Sequence, residues 1–334
     1  MQSIPDEQAR PSPPMPKAPF RRIPWVLLGG IVLTIGLGWA FLPRDPDNAP
    51  GAPSMVEGPN ISNENPGSRV PVAKAEAKTE NAPQFPPRFR DWPETSFDGK
   101  PAKEFLLETL NLLNESFSKI PTYSATFRKQ ERIQGKLLDE QSFAMKVRQT
   151  PFAVYFKAMV PKSGKEVIFA KGLFDDKVIA HSEGLSRLLV PRLQVPPEHP
   201  LIRSESRHPI TNAGIGNLIR NLIEYREKDL EEPEAEISLD RWTDQDGRNW
   251  LRSVHVHHQH SADRPFKRVI VLYDPETRLP LRFTGYDWPD PNKTGPKDSP
   301  VLGEFYAYDD LTLNAPLNAL DFDPENPAYH FRRF

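Results

Sequence analysis

The sequence contains no cysteine. That removes disulfides, thiolate metal sites, a cysteine nucleophile and a lipid-modified N-terminal cysteine. A phosphate-binding loop and a dinucleotide fingerprint are also missing. Charge is close to balanced, with a net of -2 and a pI near 6.5, and no basic stripe runs along the chain. Nucleic acid is therefore not an expected partner. Mean hydropathy is only -0.59, and a single long run lacks charge altogether: Ile23 to Leu42.

That run of about 20 residues is long enough to cross the apolar layer of a membrane as one helix. Arg10, Lys17, Arg21 and Arg22 precede it against Asp6 and Glu7, whereas Arg44 behind it is flanked by Asp45 and Asp47. The basic excess places the N-terminus in the cytoplasm and the bulk of the chain outside it. The expectation is a single-pass protein of the inner (cytoplasmic) membrane with a periplasmic domain. The alternative is a cleaved signal peptide, since Gly38-Trp39-Ala40 has the small-x-small pattern of a cleavage site after Ala40.

The 38 prolines are unevenly spread and divide the chain into four parts. Residues 1–22 form a disordered cytoplasmic tail, 23–42 the transmembrane helix, 43–101 a disordered Pro-rich linker and 102–334 the exoplasmic domain. Tail and linker are too poor in apolar residues to offset the entropy of ordering. As a coil the linker spans on the order of 40 Å.

Within 102–334 the hydrophobic period changes three times. Pro101 opens a helix to about Lys119, with Phe105, Leu106, Leu110, Leu113 and Phe117 on one face. A period of two follows through Tyr123–Arg128, Phe143–Arg148 and Phe152–Ala158, then Glu166–Ala170, Lys177–His181 and a short strand at Ser186–Val190. Thr211 caps a second helix over Asn212–Leu230, striped by Ile215, Leu218, Ile219, Leu222 and Ile223. Strands resume at Glu236–Trp242, Trp250–His260, Phe266–Tyr273, Pro280–Tyr286 and Gly303–Leu313, with Asp246-Gly247 as a hairpin turn.

The order defines an α+β fold: a long curved antiparallel sheet, an open half β-barrel of about ten strands, with two main helices packed in its hollow, preceded by one transmembrane helix. Two helices cover only part of so long a sheet. The uncovered part is the candidate apolar pocket, with Phe127, Phe143, Met145, Phe152, Phe156, Leu281 and Phe283 as its ligand-binding residues. The competing reading is that these side chains fill the core beneath the helices.

The segments YSATFRKQERIQGKLLDEQSFAMKVR (123–148), PFAVYFKAMVPKSGKEVIFAKG (151–172), HPITNAGIGNLIRNLIE (208–224) and YDDLTLNAPLNALDFDPENPAYHF (308–331) resemble a bacterial family of exported proteins of unknown function. That family is similar in pattern to the periplasmic lipoprotein-carrier (LolA-type) superfamily, whose strand, turn and "LP" strand resemble VIVLYDPETRLPLRFTGYDW (269–288). The resemblance implies a half-barrel that binds acyl chains of lipids or lipoproteins, or that senses envelope proteins. It assigns no ligand residue one by one, and a membrane anchor departs from freely diffusing carriers.

Few motifs suggest chemistry. His255 and His257 share one face of a strand and could seed a metal site. Val254 and Val256, however, mark the inner face, which turns both histidines to solvent, and no cysteine or carboxylate stands at ligand spacing. Asp321-Phe322-Asp323 begins like a calcium loop but lacks the later glycine and acid, and reads as a capped turn. Gly184-Leu185-Ser186 is not a nucleophile elbow. The expectation is a non-enzyme without cofactor or metal. Its partners would be the cell membrane and a lipid or lipoprotein, or alternatively an envelope protein that the sheet surface recognises.

Overall fold

Among the described residues thirteen strands form one antiparallel sheet that does not close on itself. They are β1 (Phe97–Asp98), β2 (Thr122–Ile133), β3 (Lys136–Leu137), β4 (Gln141–Arg148), β5 (Ala153–Val160), β6 (Glu166–Ala170), β7 (Val178–His181), β8 (Leu193–Val195), β9 (Glu236–Thr243), β10 (Asn249–Val256), β11 (Phe266–Tyr273), β12 (Pro280–Asp287) and β13 (Val301–Leu313). The α-helices among the described residues are α1 (Gly99–Phe117), the one-turn α2 (Pro200–Arg203) and α3 (Ile215–Glu231). This computed structural model describes residues 85–161, 164–181, 192–261, 263–289 and 301–331. The expected tail, the transmembrane run, most of the linker, the short strand at Ser186–Val190 and residues 290–300 lie outside them. No helix among the described residues is long and apolar enough to cross a membrane.

The strand order β1-β9-β10-β11-β12-β13-β2-β4-β5-β6-β7-β8 is two meanders joined edge to edge. The join is β13 on β2, so the last strand of the chain ties the second meander to the first. The count exceeds the expected ten because β1, β3 and β8 are two or three residues long, too short to show a period.

Both long helices lie on one face of the sheet, its inner face. Phe105, Leu106 and Leu110 of α1 and Leu222 of α3 pack on Ile237, Leu239, Leu251, Val269 and Val271. Further along, Leu113 and Phe117 with Ile215 and Ile219 meet Tyr123, Met145, Val147 and Leu281. The expected stripe of α1 is buried throughout; on α3 Ile215, Ile219 and Leu222 are buried, Leu218 and Ile223 are half-buried, and Arg226 and Asp229 are buried as well. Burial of each such apolar side chain stabilises by about 1.5–3 kcal/mol.

Three details depart from expectation. First, the folded unit begins before residue 102. Trp92, only 1% exposed, packs on Phe105 and Tyr273 and donates its ring N–H to the Asp240 carbonyl at 3.0 Å. Phe85 likewise meets Phe117 at 6.0 Å. Aromatic residues outweigh the prolines around them. Second, α3 starts at Ile215, because Ile210–Asn212 is a separate 3₁₀ turn. Its cap is not Thr211. The Tyr123 hydroxyl accepts the Ile215 N–H at 2.8 Å. Gly214 makes this possible: its φ is 96°, and a Cβ there would stand 2.5 Å from the Tyr123 hydroxyl.

Third, the outer face of β5–β7 is not solvated. The C-terminal segment folds back over it, burying Tyr155, Ile168 and Ile179 under Phe322, Tyr329 and Phe331. Tyr155 and Tyr329 stack 4.1 Å apart. Glu166 is fully buried there, accepting from the Tyr155 hydroxyl at 3.0 Å and the His330 N–H at 2.7 Å. Lys146 bridges Asp321 at 2.7 Å and the Tyr329 hydroxyl at 3.1 Å. Asn318 and Asp321 form a capping box, so the Asp321 segment is a capped turn.

Candidate functional site

The helices cover one part of the trough, over β9–β12, the Tyr123 end of β2 and the Val147 end of β4. At the other end the chain from α2 to the start of α3 runs over the sheet as a strap. Between strap and sheet lies a half-open cavity of about 870 Å³. Its floor is built by period-two alternation. Phe156, Ala158 and Val160 of β5 point in together, as do Val178 and Ala180 of β7, with Phe143 from β4 and Val167 from β6. Ile202, Ile210 and Leu218 close it from the strap side, and Phe266 and Phe283 line the end towards β11 and β12.

Of the seven expected ligand residues, Phe127, Phe143, Phe156 and Phe283 line this cavity. Phe127 is its hub, with ring centroids 5.7 Å from Phe156, 5.2 Å from Tyr308 and 5.9 Å from Tyr306. Met145, Phe152 and Leu281 do not line it. Met145 and Leu281 are buried in the core beneath α1 and α3, and Phe152 packs against that core, with Phe169 6.2 Å away. They face the same side of the sheet, but the helices already occupy that part of the trough.

One wall of the cavity is charged, which the reading for apolar residues missed. Lys129 and Glu131 continue the inward register of Phe127 on β2, and Glu304 and Tyr306 do so on β13. The register sets Glu131 directly opposite Glu304, two carboxylates only 2% and 3% exposed. Like charges so placed repel, and the neighbours offset this. Lys129 Nζ donates to Glu131 at 2.8 Å, and the Tyr306 hydroxyl donates to it at 2.5 Å. Arg207 lies 3.4 Å from Glu304 and donates to Asp287 at 3.0 Å, while His208 meets Glu304 at 2.9 Å. Burial would raise the Glu131 carboxyl, but the Lys129 ammonium and the hydrogen bonds hold it below its ordinary value. Burial would lower His208, but the Glu304 hydrogen bond and charge raise it. These contacts pin the strap to the sheet, and the Lys129 bond to the Glu205 carbonyl at 2.9 Å adds to them. The signal was present in the sequence: Lys129 and Glu131 fall on inward positions of a strand that alternates cleanly up to Phe127.

The histidines are placed opposite to expectation. His255 and His257 are 0% and 3% exposed, and Val254 and Val256 are the less buried residues. The register explains it, since His255 sits between Ile237 and Val269, both on the buried face. The helix side above is polar there. His257 shares its ring nitrogens between the Phe266 carbonyl at 3.0 Å and Asp229 of α3 at 3.2 Å. Asp229 also meets Arg226 at 2.8 Å and Arg264 at 3.2 Å. Lys103 of α1 caps the end of α3, donating to the carbonyls of Asp229 and Glu232 at 2.8 Å each. Burial, with Arg226 and His257 nearby, holds His255 neutral, well below its ordinary value. Among the described residues no group of three or more His, Asp or Glu side chains could hold a metal ion.

The described residues thus form a large open antiparallel sheet with few helices and a half-open cavity on the helix-bearing face. The family of proteins of unknown function DUF1571 matches residues 120–331, and the chain belongs to it. Solved structures with similar folds include a DUF1329 family protein from Desulfovibrio piger, with 12% identity and a TM-score of 0.32 over 68% of this chain and 98% of that one. The lipoprotein LppX from Mycobacterium tuberculosis has 12% identity and a TM-score of 0.34, over 65% of this chain and 98% of its own. A LolA superfamily protein from Nitrosomonas europaea has 8% identity and a TM-score of 0.26, over 64% and 97%. No curated protein matches.

Proposed function

We propose that this domain binds a lipid, an acyl chain or another apolar ligand in the hollow between sheet and strap. One observation carries the reading: a cavity of about 870 Å³ remains on the inner face, floored by phenylalanine, valine and alanine side chains. Pockets of about 300–1,000 Å³ with a mostly apolar lining and a few polar groups are the usual form of a small-molecule site. Phe127, Phe143, Phe156 and Phe283 are the proposed contacts within it. The proposed role is binding rather than catalysis. The proposed setting is the periplasmic face of the inner membrane, with Ile23–Leu42 as anchor and the Pro-rich linker as tether, so the domain works within the linker's reach.

The test is to purify the full chain from its native envelope, extract it with organic solvent and identify what it carries by mass spectrometry. A stoichiometric apolar compound is expected. A ligand-free protein that takes up none of a panel of lipids in vitro would sink the reading. In-cell crosslinking that captured proteins but no lipid would favour an envelope protein-interaction domain instead.

A further inference from the structure

The hollow has measurable limits in two directions. A group the size of a water molecule or methylene takes about 30 Å³ at liquid density, so about 870 Å³ holds roughly 29 such groups. A diacyl phospholipid, with about 50 heavy atoms, needs roughly 1,500 Å³ on the same scale. A single C16 chain with a small head fits.

Length gives a second limit, along the arm of the hollow that runs from the polar wall to β7. The polar wall stands on β13 and β2, at Glu131, Glu304 and Tyr306. The apolar floor runs from there across β4, β5 and β6 to Val178 and Ala180 of β7. Four strand spacings of about 4.8 Å make roughly 19 Å. An extended chain with C–C bonds of about 1.5 Å advances about 1.3 Å per carbon, so roughly 15 carbons cover that path. The polar wall also reaches solvent, because the Arg207 and His208 side chains are 24% and 47% exposed. A head group there stays wet while its chain is buried.

We infer that the hollow is a one-chain site: it takes a single-chain amphiphile of about 14–18 carbons, with the chain over β4–β7 and the head at the Lys129–Glu131–Arg207–Glu304 wall. This rests on the apolar-ligand reading and narrows it. A second chain has no room and stays outside the cavity.

The experiment is a chain-length series of monoacylglycerols from C8 to C22, with dipalmitoylglycerol as the two-chain probe. Each is delivered from cyclodextrin to delipidated full-chain protein and measured by calorimetric titration. Each buried methylene raises affinity about fourfold. The expected result is that rise up to about C16–C18, a plateau beyond, a stoichiometry of one, and no gain for dipalmitoylglycerol over monopalmitoylglycerol. A rise that continues through C22, or tighter binding of the two-chain probe, overturns the one-chain limit and leaves the apolar-ligand reading standing. Failure of every probe to bind overturns both.

Discussion

Ala158→Phe places a ring into the hollow without removing anything from the packed core. Ala158 faces inward on β5, opposite Phe143 and between Phe156 and Val160. The substitution adds six heavy atoms, roughly 180 Å³ at liquid density, about a fifth of the 870 Å³ available. If the space is open, the new ring is buried at no steric cost. Burying a phenylalanine stabilises by about 1.5–3 kcal/mol, and fixing its rotamer costs about 0.5–1 kcal/mol. Urea unfolding should therefore show stability unchanged or raised by about 1–2 kcal/mol. Binding of a C16 chain should fall, by up to about 5 kcal/mol if six methylenes lose their place at about 0.8 kcal/mol each. A C10 chain should bind as before. A stability loss above about 1 kcal/mol would mean the ring meets side chains already there, as overpacking costs about 1–3 kcal/mol. Undiminished C16 binding would equally refute the reasoning. Met145→Ala is the contrast: Met145 is 1% exposed in the helix-covered core, so stability should drop by about 2–5 kcal/mol with the preferred chain length unchanged.

Asp229→Ala leaves Arg226, His257 and Arg264 without their shared carboxylate beneath α1 and α3. A loss of about 3–5 kcal/mol in chemical denaturation is expected, and a change under about 1 kcal/mol would refute the coupling. Gly214→Ala forces a side chain to φ 96° and onto the Tyr123 hydroxyl. It should cost about 1–3 kcal/mol and loosen the first turn of α3 in hydrogen exchange. The His208–Glu304 contact predicts a pH-dependent strap. Because the folded His208 pKa lies above its ordinary value, the contribution is complete below about pH 6.5 and is lost as pH rises through the raised value. Hydrogen exchange over 203–212, corrected for intrinsic rates, should show less protection on the alkaline side, and His208→Gln should remove the difference.

Where one period ran for eight residues or more, the sequence was enough. The buried face of α1 and the bounds of β11 follow from spacing alone, because those side chains meet a single apolar layer. Where a second layer arrived from far along the chain, spacing was silent. Nothing near Tyr155 announces Tyr329, which covers it. The inner face of β10 was misread because apolarity stood in for burial. Valine is the more apolar residue, but Asp229 and Arg226 overhead make imidazole the better partner at that end. The candidate site was legible as a set of inward aromatic residues but not as a boundary. Only the position of α1 and α3 separates Phe127, Phe143, Phe156 and Phe283 from Met145, Phe152 and Leu281. The charged wall was written in the inward register of Lys129 and Glu131, and became a site only when β13 set Glu304 opposite.

Photo-crosslinking with a palmitoyl chain carrying a terminal diazirine tests the central claim most directly. The chain end should label the far floor, around Val167, Val178 and Ala180, and the strap at Ile202 and Ile210. Labelling of the outer face under Phe322 and Tyr329, or labelling spread evenly over the surface, would contradict a ligand held in the hollow.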